Sequence, residues 1–465
     1  MEIMLLVTAL SILFLIVVVK QNDFASPSFL FALPLTISIF ICVLYKDKWD
    51  FECELKTFFL ITIGIFMFFC GDQIGRKTFK KKIEYNKLVT CDMSVTITRT
   101  VLIILFSLIS IFLVYKEVST SVSEAGIVFS LFQTSTKGLS GYSVSTVVSM
   151  TMNIMSIIST FGIAILMNNI TYKCVKWKDW LFIIPIVSYL IIVLMQGQRG
   201  DLINIFVTTI FVSFCMNYKK NGGSAKKNVK VATRFVKYIL IILVIFYALR
   251  LTISKPGQES LSFFDTISGY VGAQIDLLNR LVRQNNISYS LYGYESFHDL
   301  YSFFEKIGIM RNLPTITFKY RAYNGLGCNV FTFFRRPYVD FGLVGSWFIS
   351  LLCGIVWGHF YYKYVHVRNG NHRFMFYLIV YAYFINKVAM AFFDDYITLL
   401  VSANTAIKLV LFVLINKFMY CKIKIRGGEK LDYSSLDSWV NLKATFTNNV
   451  LSPSLLCDLK ERCLA

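Results

Sequence analysis

Apolar runs recur along this chain at the length a bilayer requires. They fall near residues 3–19, 27–45, 57–70, 100–115, 143–167, 179–195, 201–217, 238–252, 341–361, 373–391 and 397–418. At about 1.5 Å of rise per residue, such runs cross a hydrocarbon core as helices. The pattern predicts an all-α polytopic integral membrane protein with about eleven spans. The range is ten to thirteen, because the third run is short and the stretch from Gly126 to Phe132 reads as a re-entrant or additional span. No internal repeat interrupts the series.

The polar stretches between the runs set the expected orientation, since Lys and Arg flanking a span resist translocation. GRKTFKKKIEYNK (75–87), YKCVKWK (172–178), YKKNGGSAKKNVKVATRFVK (218–237), KYVHVRNGNHR (363–373) and the tail from CKIKIR (421–426) are all basic. With eleven spans they fall on one side, which puts the C-terminus in the cytoplasm and the N-terminus outside. The other side receives the loop 116–142, the turn GQRGD (197–201), the FFDDY turn (392–396) and one long segment from 251 to 340. The organisation is therefore about eight spans over 1–250, a large external loop over 251–340, three spans over 341–420, and a cytoplasmic tail over 421–465. Within the external loop, short helices are expected around Asp265 to Val282 and Ser296 to Ile307.

Composition agrees with a membrane protein. Hydrophobic residues make up 56% of 465 positions, mean hydropathy is +0.60, and there are 43 Phe against 7 Pro. The formal charge of +20 would suggest nucleic acid in a soluble chain, but topology and anionic headgroups account for most of it, and no nucleic-acid motif is present. The first stretch, MEIMLLVTALSILFLIVVVK, lacks a basic leader and a small-residue cleavage site, so it reads as a retained span. The 11 cysteines include no CxxC pair. Cys53 and Cys328, the two expected outside, are either a pair or, the favoured reading, unrelated thiols.

Candidate chemistry concentrates in the external segment, which holds nine Lys or Arg and seven Asp or Glu. Between Glu305 and Asp340 stand Lys306, Arg311, Lys319, Arg321, Arg335 and Arg336 with no acid among them. Positive charge on the disfavoured side calls for an anionic partner, and the guanidinium fork suits a phosphate or diphosphate. Alternatively these charges pair with Glu259, Asp265, Asp276, Glu295 and Asp299 elsewhere in the loop. Arg199, in the short turn MQGQRGDL, is an ionisable group close to the hydrocarbon; it marks either a functional site or a snorkelling side chain paired with Asp201. Asp340 is either a general base on an acceptor hydroxyl, a brace for Arg336, or a helix-start acid. His298 is the one external histidine and is a second acid–base candidate, with a structural role in the aromatic loop as its alternative. Asp394 and Asp395 read as charge balance rather than as cation ligands. No Walker A, GxSxG or HExxH sequence is present.

Two motifs carry a family resemblance: GQRG at 197–200, and NVFTFFRRPYVDFGLVG at 329–345, which fits N-x-[FY]-T followed by Y-x-DFG-x-x-G leading into a span. Over roughly residues 1–420 the chain resembles Wzy-type O-antigen or oligosaccharide repeat-unit polymerases. That resemblance implies a GT-C-like glycosyltransferase of the bacterial inner membrane, independent of metal and nucleotide, working at the periplasmic face. Its substrate would be an undecaprenyl-diphosphate-linked oligosaccharide, its other partners membrane lipids and a chain-length regulator, with no nucleic acid and no cofactor. By position, the diphosphate-holding role carries over to Arg199, Arg335 and Arg336. Arg311 and Arg321 join the set on charge, and Tyr338 as part of the motif. Tyr292, Tyr294, Tyr320 and Tyr323 either stack on sugar faces or pack against the membrane surface. The rival readings are an O-antigen ligase, which shares the architecture, and a flippase or transporter of the same lipid-linked glycan, which would be expected to show paired half-repeats.

Overall fold

A computed structural model describes residues 1–78, 93–120, 145–195, 199–220, 262–284, 291–316, 321–323, 326–366 and 372–420, with the isolated Val229 and Thr233. Among them, ten helices are long and apolar enough to cross a membrane. They match ten of the eleven runs. The run at 238–252, the 126–132 stretch and the tail from 421 lie outside the described residues.

In chain order the helices are α1 (Glu2–Val19), α2 (Pro27–Leu44), α3 (Lys46–Trp49), α4 (Leu55–Lys77), α5 (Ile97–Thr120), α6 (Thr146–Tyr172), α7 (Ile183–Met195) and α8 (Arg199–Lys220). After these come α9 (Phe263–Val271), α10 (Ala273–Gln284), α11 (His298–Lys306), the strands β1 (Arg321–Tyr323) and β2 (Leu326–Cys328), then α12 (Arg335–Phe360), α13 (His372–Ala389) and α14 (Ala403–Tyr420). The expected short helices of the 251–340 segment are α9 to α11. The helices agree with the all-α expectation, to which the structure adds one small antiparallel hairpin, with Arg321 opposite Cys328; three-residue strands leave too little alternation to read in a sequence.

The bundle has two ends. The proximal end collects α9 to α11, the hairpin, the starts of α1, α4, α12 and α14, and the 390–402 connection. The distal end collects Lys20, Arg76, Lys173, Lys220 and Lys363, so the described parts of the basic stretches gather together. Lys20 Nζ lies 2.7 Å from Asp72 Oδ2 and 2.8 Å from the Tyr362 hydroxyl, and the Tyr361 hydroxyl donates to Asp23 at 2.8 Å. These bonds tie α1, α4 and the C-terminal extension of α12 together where charge is buried. Helix faces rich in exposed Ile, Leu, Val and Phe, such as Ile3, Val7 and Phe14 of α1, suit a lipid environment.

The tightest packing is between α4 and α12. Each carries a G-x-x-x-G step, Gly71–Gly75 and Gly354–Gly358, the small-residue pattern that lets membrane helices meet backbone to backbone. A Cβ on Gly354 would stand 2.2 Å from the Phe68 carbonyl oxygen, and one on Gly71 would stand 2.2 Å from that of Leu351. Neither obstacle is a side chain that can rotate away. Gly354→Ala should therefore force the helices apart and destabilise the fold by about 1–3 kcal/mol, the usual cost of overpacking. The check is the thermal midpoint of the purified protein in detergent, where an unchanged midpoint would contradict the packing.

One helix does not begin where hydropathy places it. The apolar run opens at Phe341, but α12 starts at Arg335 and bends at Gly342, whose φ of 67° and ψ of −164° belong to a region essentially reserved for glycine. Residues 331–338 are all buried. The end of the 251–340 segment is thus inserted among the helices instead of forming an external loop.

Candidate active site

The buried stretch FTFFRRPY threads into the proximal end on aromatic contacts. Phe334 packs into the space that Gly64 leaves open, Phe31 stacks on Phe68 with ring centroids 4.1 Å apart, and Phe333 meets Phe31 edge-on at 5.5 Å. The Phe333 amide donates to the Ala391 carbonyl at 2.8 Å, which joins the motif to the end of α13. These anchors carry Arg335 and Arg336 inside, at 1% and 6% exposure.

Arg335 forms a buried ion pair with Glu295, 2.9 Å from Nη2 to Oε1, and its guanidinium lies over the Phe331 ring at 4.5 Å. Arg336 donates from Nη1 to the Glu295 backbone carbonyl at 2.8 Å. Asp340, one turn further on, accepts the Glu295 amide at 3.1 Å on one oxygen and the Ser296 amide at 2.6 Å on the other. Both of its carboxylate oxygens hold the turn that presents Glu295, so Asp340 braces that turn rather than Arg336 directly.

The 390–402 connection closes over the arginines. Burial raises the carboxyl of Asp394 and pushes that of Asp395 up to about 7, and in both cases the positive field of Arg336 opposes the rise. Asp395 is committed to its own turn, accepting the amides of Ile397 at 3.1 Å and Thr398 at 3.0 Å and the Thr398 hydroxyl at 2.5 Å. Tyr396 feels the charges of Asp394, of Asp201 in the first turn of α8, and of Arg336. Asp201 directly follows the GQRG motif, so groups more than a hundred residues apart in sequence act on one tyrosine.

His298 opens α11 beside this cluster. Its ring meets that of Tyr294 edge-on at 5.3 Å, Nε2 is 3.4 Å from the Ser302 hydroxyl, and Nδ1 is buried with no hydrogen-bond partner among the described residues. Burial, with the field of Arg336 adding to it, lowers its pKa from 6.5 against the pull of Asp299 and Glu305. The imidazole is neutral at pH 7. A neutral imidazole suits the role of proton acceptor. Because the folded state binds this proton more weakly than the unfolded chain, stability should rise with pH up to about 6.5 and be flat above it. Between pH 7 and pH 5 the thermal midpoint of wild type should fall more than that of His298→Gln; parallel curves would rule out the assigned environment.

Other predicted residues fall elsewhere. Arg321 is not an uncompensated cation: its Nη1 lies 3.0 Å from Asp276 Oδ2, and its Nη2 donates to the Trp49 carbonyl at 3.1 Å. Arg280 shares both acceptors, at 2.8 and 2.9 Å, and the Tyr323 hydroxyl donates to the same Asp276 oxygen at 2.6 Å. Burial nevertheless raises Asp276 to about 6, against the pull of Tyr323 and Arg321. This group pins the hairpin and α10 to α3. The expectation of six charges without counter-charge thus fails at Arg335 and Arg321, whose partners Glu295 and Asp276 lie 40 and 45 residues away in sequence. Arg311 is exposed beyond α11. Tyr338 is buried in the first turn of α12 at 8% exposure.

Tyr294, which donates to the Pro314 carbonyl at 2.6 Å, and Tyr323 are both fully covered, so neither can stack on a sugar; Tyr292, at 78% exposure, can. Lys319, Tyr320 and the Arg199 side chain lie outside the described residues, although Arg199 begins α8 at the proximal end. Cys53 and Cys328 are separate free thiols. Sequence reading missed Lys387, over the Tyr396 ring at 4.7 Å, and Lys408, over the Tyr383 ring at 5.5 Å. A lysine well inside each of the last two apolar runs was the available signal.

Comparison with protein-family models, with curated proteins and with solved structures returns no match. The functional reading rests on the two motifs and on the geometry of the proximal end.

Proposed function

We propose that this chain is a GT-C-like membrane glycosyltransferase that polymerises undecaprenyl-diphosphate-linked oligosaccharide repeat units, with the proximal end facing the periplasm. One observation carries the reading. Asp201, in the first turn of α8 directly after the GQRG motif, and Arg336 of the FTFFRRPYVDFG segment both act electrostatically on Tyr396, beside a buried arginine pair.

The chemistry assigns different work to each residue. An acceptor sugar hydroxyl attacks the anomeric carbon of a lipid-linked glycan, the bond to the diphosphate oxygen breaks, and the hydroxyl proton passes to neutral His298. Negative charge then grows on the departing diphosphate. A guanidinium fixed in a water-poor site stabilises that charge more than it stabilises the ground state. Arg336 is assigned to it, and Arg199 joins it by the motif resemblance. Arg335 is a positioning residue, since its charge is matched by Glu295, and Asp340 holds the same turn.

The test is a strain lacking its own copy of the gene. The surface glycolipid should carry a single repeat on its core, restored to a ladder by wild-type protein. Bare core with polymer stranded on the carrier would make the chain a ligase. Bare core with single repeats confined to the inner leaflet would make it a transporter. Either result overturns the proposal.

A further inference from the structure

Below the arginine cluster, two lysines sit inside the membrane helices with no acid in ion-pair contact among the described residues. Lys387 is in the last turn of α13 and Lys408 is on the second turn of α14; among the described residues neither forms a salt bridge. Each lies instead over an aromatic ring, Lys387 over Tyr396 at 4.7 Å and Lys408 over Tyr383 at 5.5 Å. The two lysines repel one another, and Asp201 is the acid whose field reaches Lys387. The Tyr383 hydroxyl is 3.1 Å from that of Ser156 on α6, and Asn153 of α6 donates to Asn404 of α14 at 3.1 Å. An ammonium group at this depth is costly unless an anion accompanies it.

The neighbouring surface has the complementary character. A groove of about 360 Å³ runs between α5, α6 and α14, and apart from its sulfur atom at Met419 it is lined by hydrocarbon side chains, Phe106, Ile154, Ile158, Leu411 and Ile415 among them. On α14 the spacing of 404, 408, 411 and 415 places Asn404 and Lys408 on the stripe that continues as Leu411 and Ile415. The cation stands toward the proximal end of that stripe, and the groove continues from it toward the distal end. Its volume is in the range of small-ligand sites, and its lining suits a hydrocarbon chain.

We infer that Lys387 and Lys408 bind the phosphate-bearing headgroup of a single-chain anionic lipid whose tail lies in the α5–α6–α14 groove, and that this lipid is the polyprenyl diphosphate carrier. The identity of the lipid rests on the function proposed above; the presence of an anionic-lipid site does not. The lysines then hold the carrier before or after the transfer step, within reach of Tyr396 and the arginine cluster, and the groove takes up part of a chain otherwise dispersed in the bilayer.

The experiment is native mass spectrometry of the full-length protein in detergent, titrated separately with polyprenyl diphosphate, phosphatidylglycerol and inorganic diphosphate. Wild type should retain polyprenyl diphosphate in preference to the other two. The Lys387→Gln, Lys408→Gln double variant should bind it at least about tenfold more weakly, as expected for the loss of charged hydrogen bonds. Ile158→Trp, which fills the groove, should weaken it too, while Lys408→Arg should retain binding. If the double variant does not fold, Ile158→Trp against Lys408→Arg carries the comparison. Undiminished binding in the folded double variant or in Ile158→Trp would overturn the inference, as would equal retention of phosphatidylglycerol or of inorganic diphosphate. Lysine-dependent carrier binding in a protein whose deletion leaves the polysaccharide unchanged would overturn the polymerase reading and leave the site standing.

Discussion

Arg335→Ala should cost about 3–5 kcal/mol of folding free energy, the usual penalty for stranding one member of a buried ion pair. Glu295 is fully buried and Arg335 is 1% exposed, so water cannot replace the missing guanidinium. The loss should appear as a fall in the thermal midpoint in detergent and in the amount of protein recovered from membranes. The account also predicts the direction of rescue. Replacing both partners by methionine removes both desolvation penalties and keeps the volume, so Arg335→Met with Glu295→Met should recover most of the stability lost by Arg335→Ala. It should not recover activity, because the Glu295 turn that Arg336 and Asp340 grip would lose its anchor. A single alanine variant as stable as wild type would remove the ion pair from the account.

Arg336 should behave differently. Its Nη1 bond goes to a backbone carbonyl, which lysine can reach with a single donor, so Arg336→Lys is expected to fold. What lysine cannot supply is the planar fork that matches two phosphate oxygens. Removing one preorganised donor from a developing oxyanion typically costs a factor of about 10² to 10³ in turnover. Arg336→Ala should therefore lose most chain extension, and Arg336→Lys should fall between it and wild type. The measurement is turnover of lipid-linked repeat units by protein of confirmed folded content. Wild-type turnover in both variants would take Arg336 out of the site.

Much of the architecture was written in the apolar runs, because a crossing helix needs some twenty residues of one character and few other structures tolerate them. The start of α12 was not. Hydropathy begins at Phe341, whereas burial begins at Phe331, and nothing in a run of Phe, Thr and Arg distinguishes an inserted segment from an external loop. The arginines drew attention through their charge, yet charge alone could not separate Arg335, which is matched by Glu295, from Arg336, which is held by a carbonyl. That distinction depends on a turn forty residues upstream. The paired G-x-x-x-G steps were legible as motifs, but their pairing across α4 and α12 was not. Lys387 and Lys408 were concealed by averaging, since one lysine barely lowers the hydropathy of an eighteen-residue window.

The division between Arg335 and Arg336 also changes what the RR dipeptide signifies. Arg335 pairs with Glu295 in the end of the helix bundle, and the proposed reaction assigns the leaving diphosphate to Arg336. In the proposed reaction the neutral His298 is the proton acceptor, while both oxygens of Asp340 hold the Glu295–Ser296 turn.

The most direct test of the central claim is a reconstituted reaction. Purified protein in lipid vesicles is supplied with a single undecaprenyl-diphosphate-linked repeat unit, and products are resolved by length. The account predicts glycans of two or more repeats that remain on the carrier, with one undecaprenyl diphosphate released per bond formed. Folded wild-type protein that leaves the substrate as single repeats would contradict it.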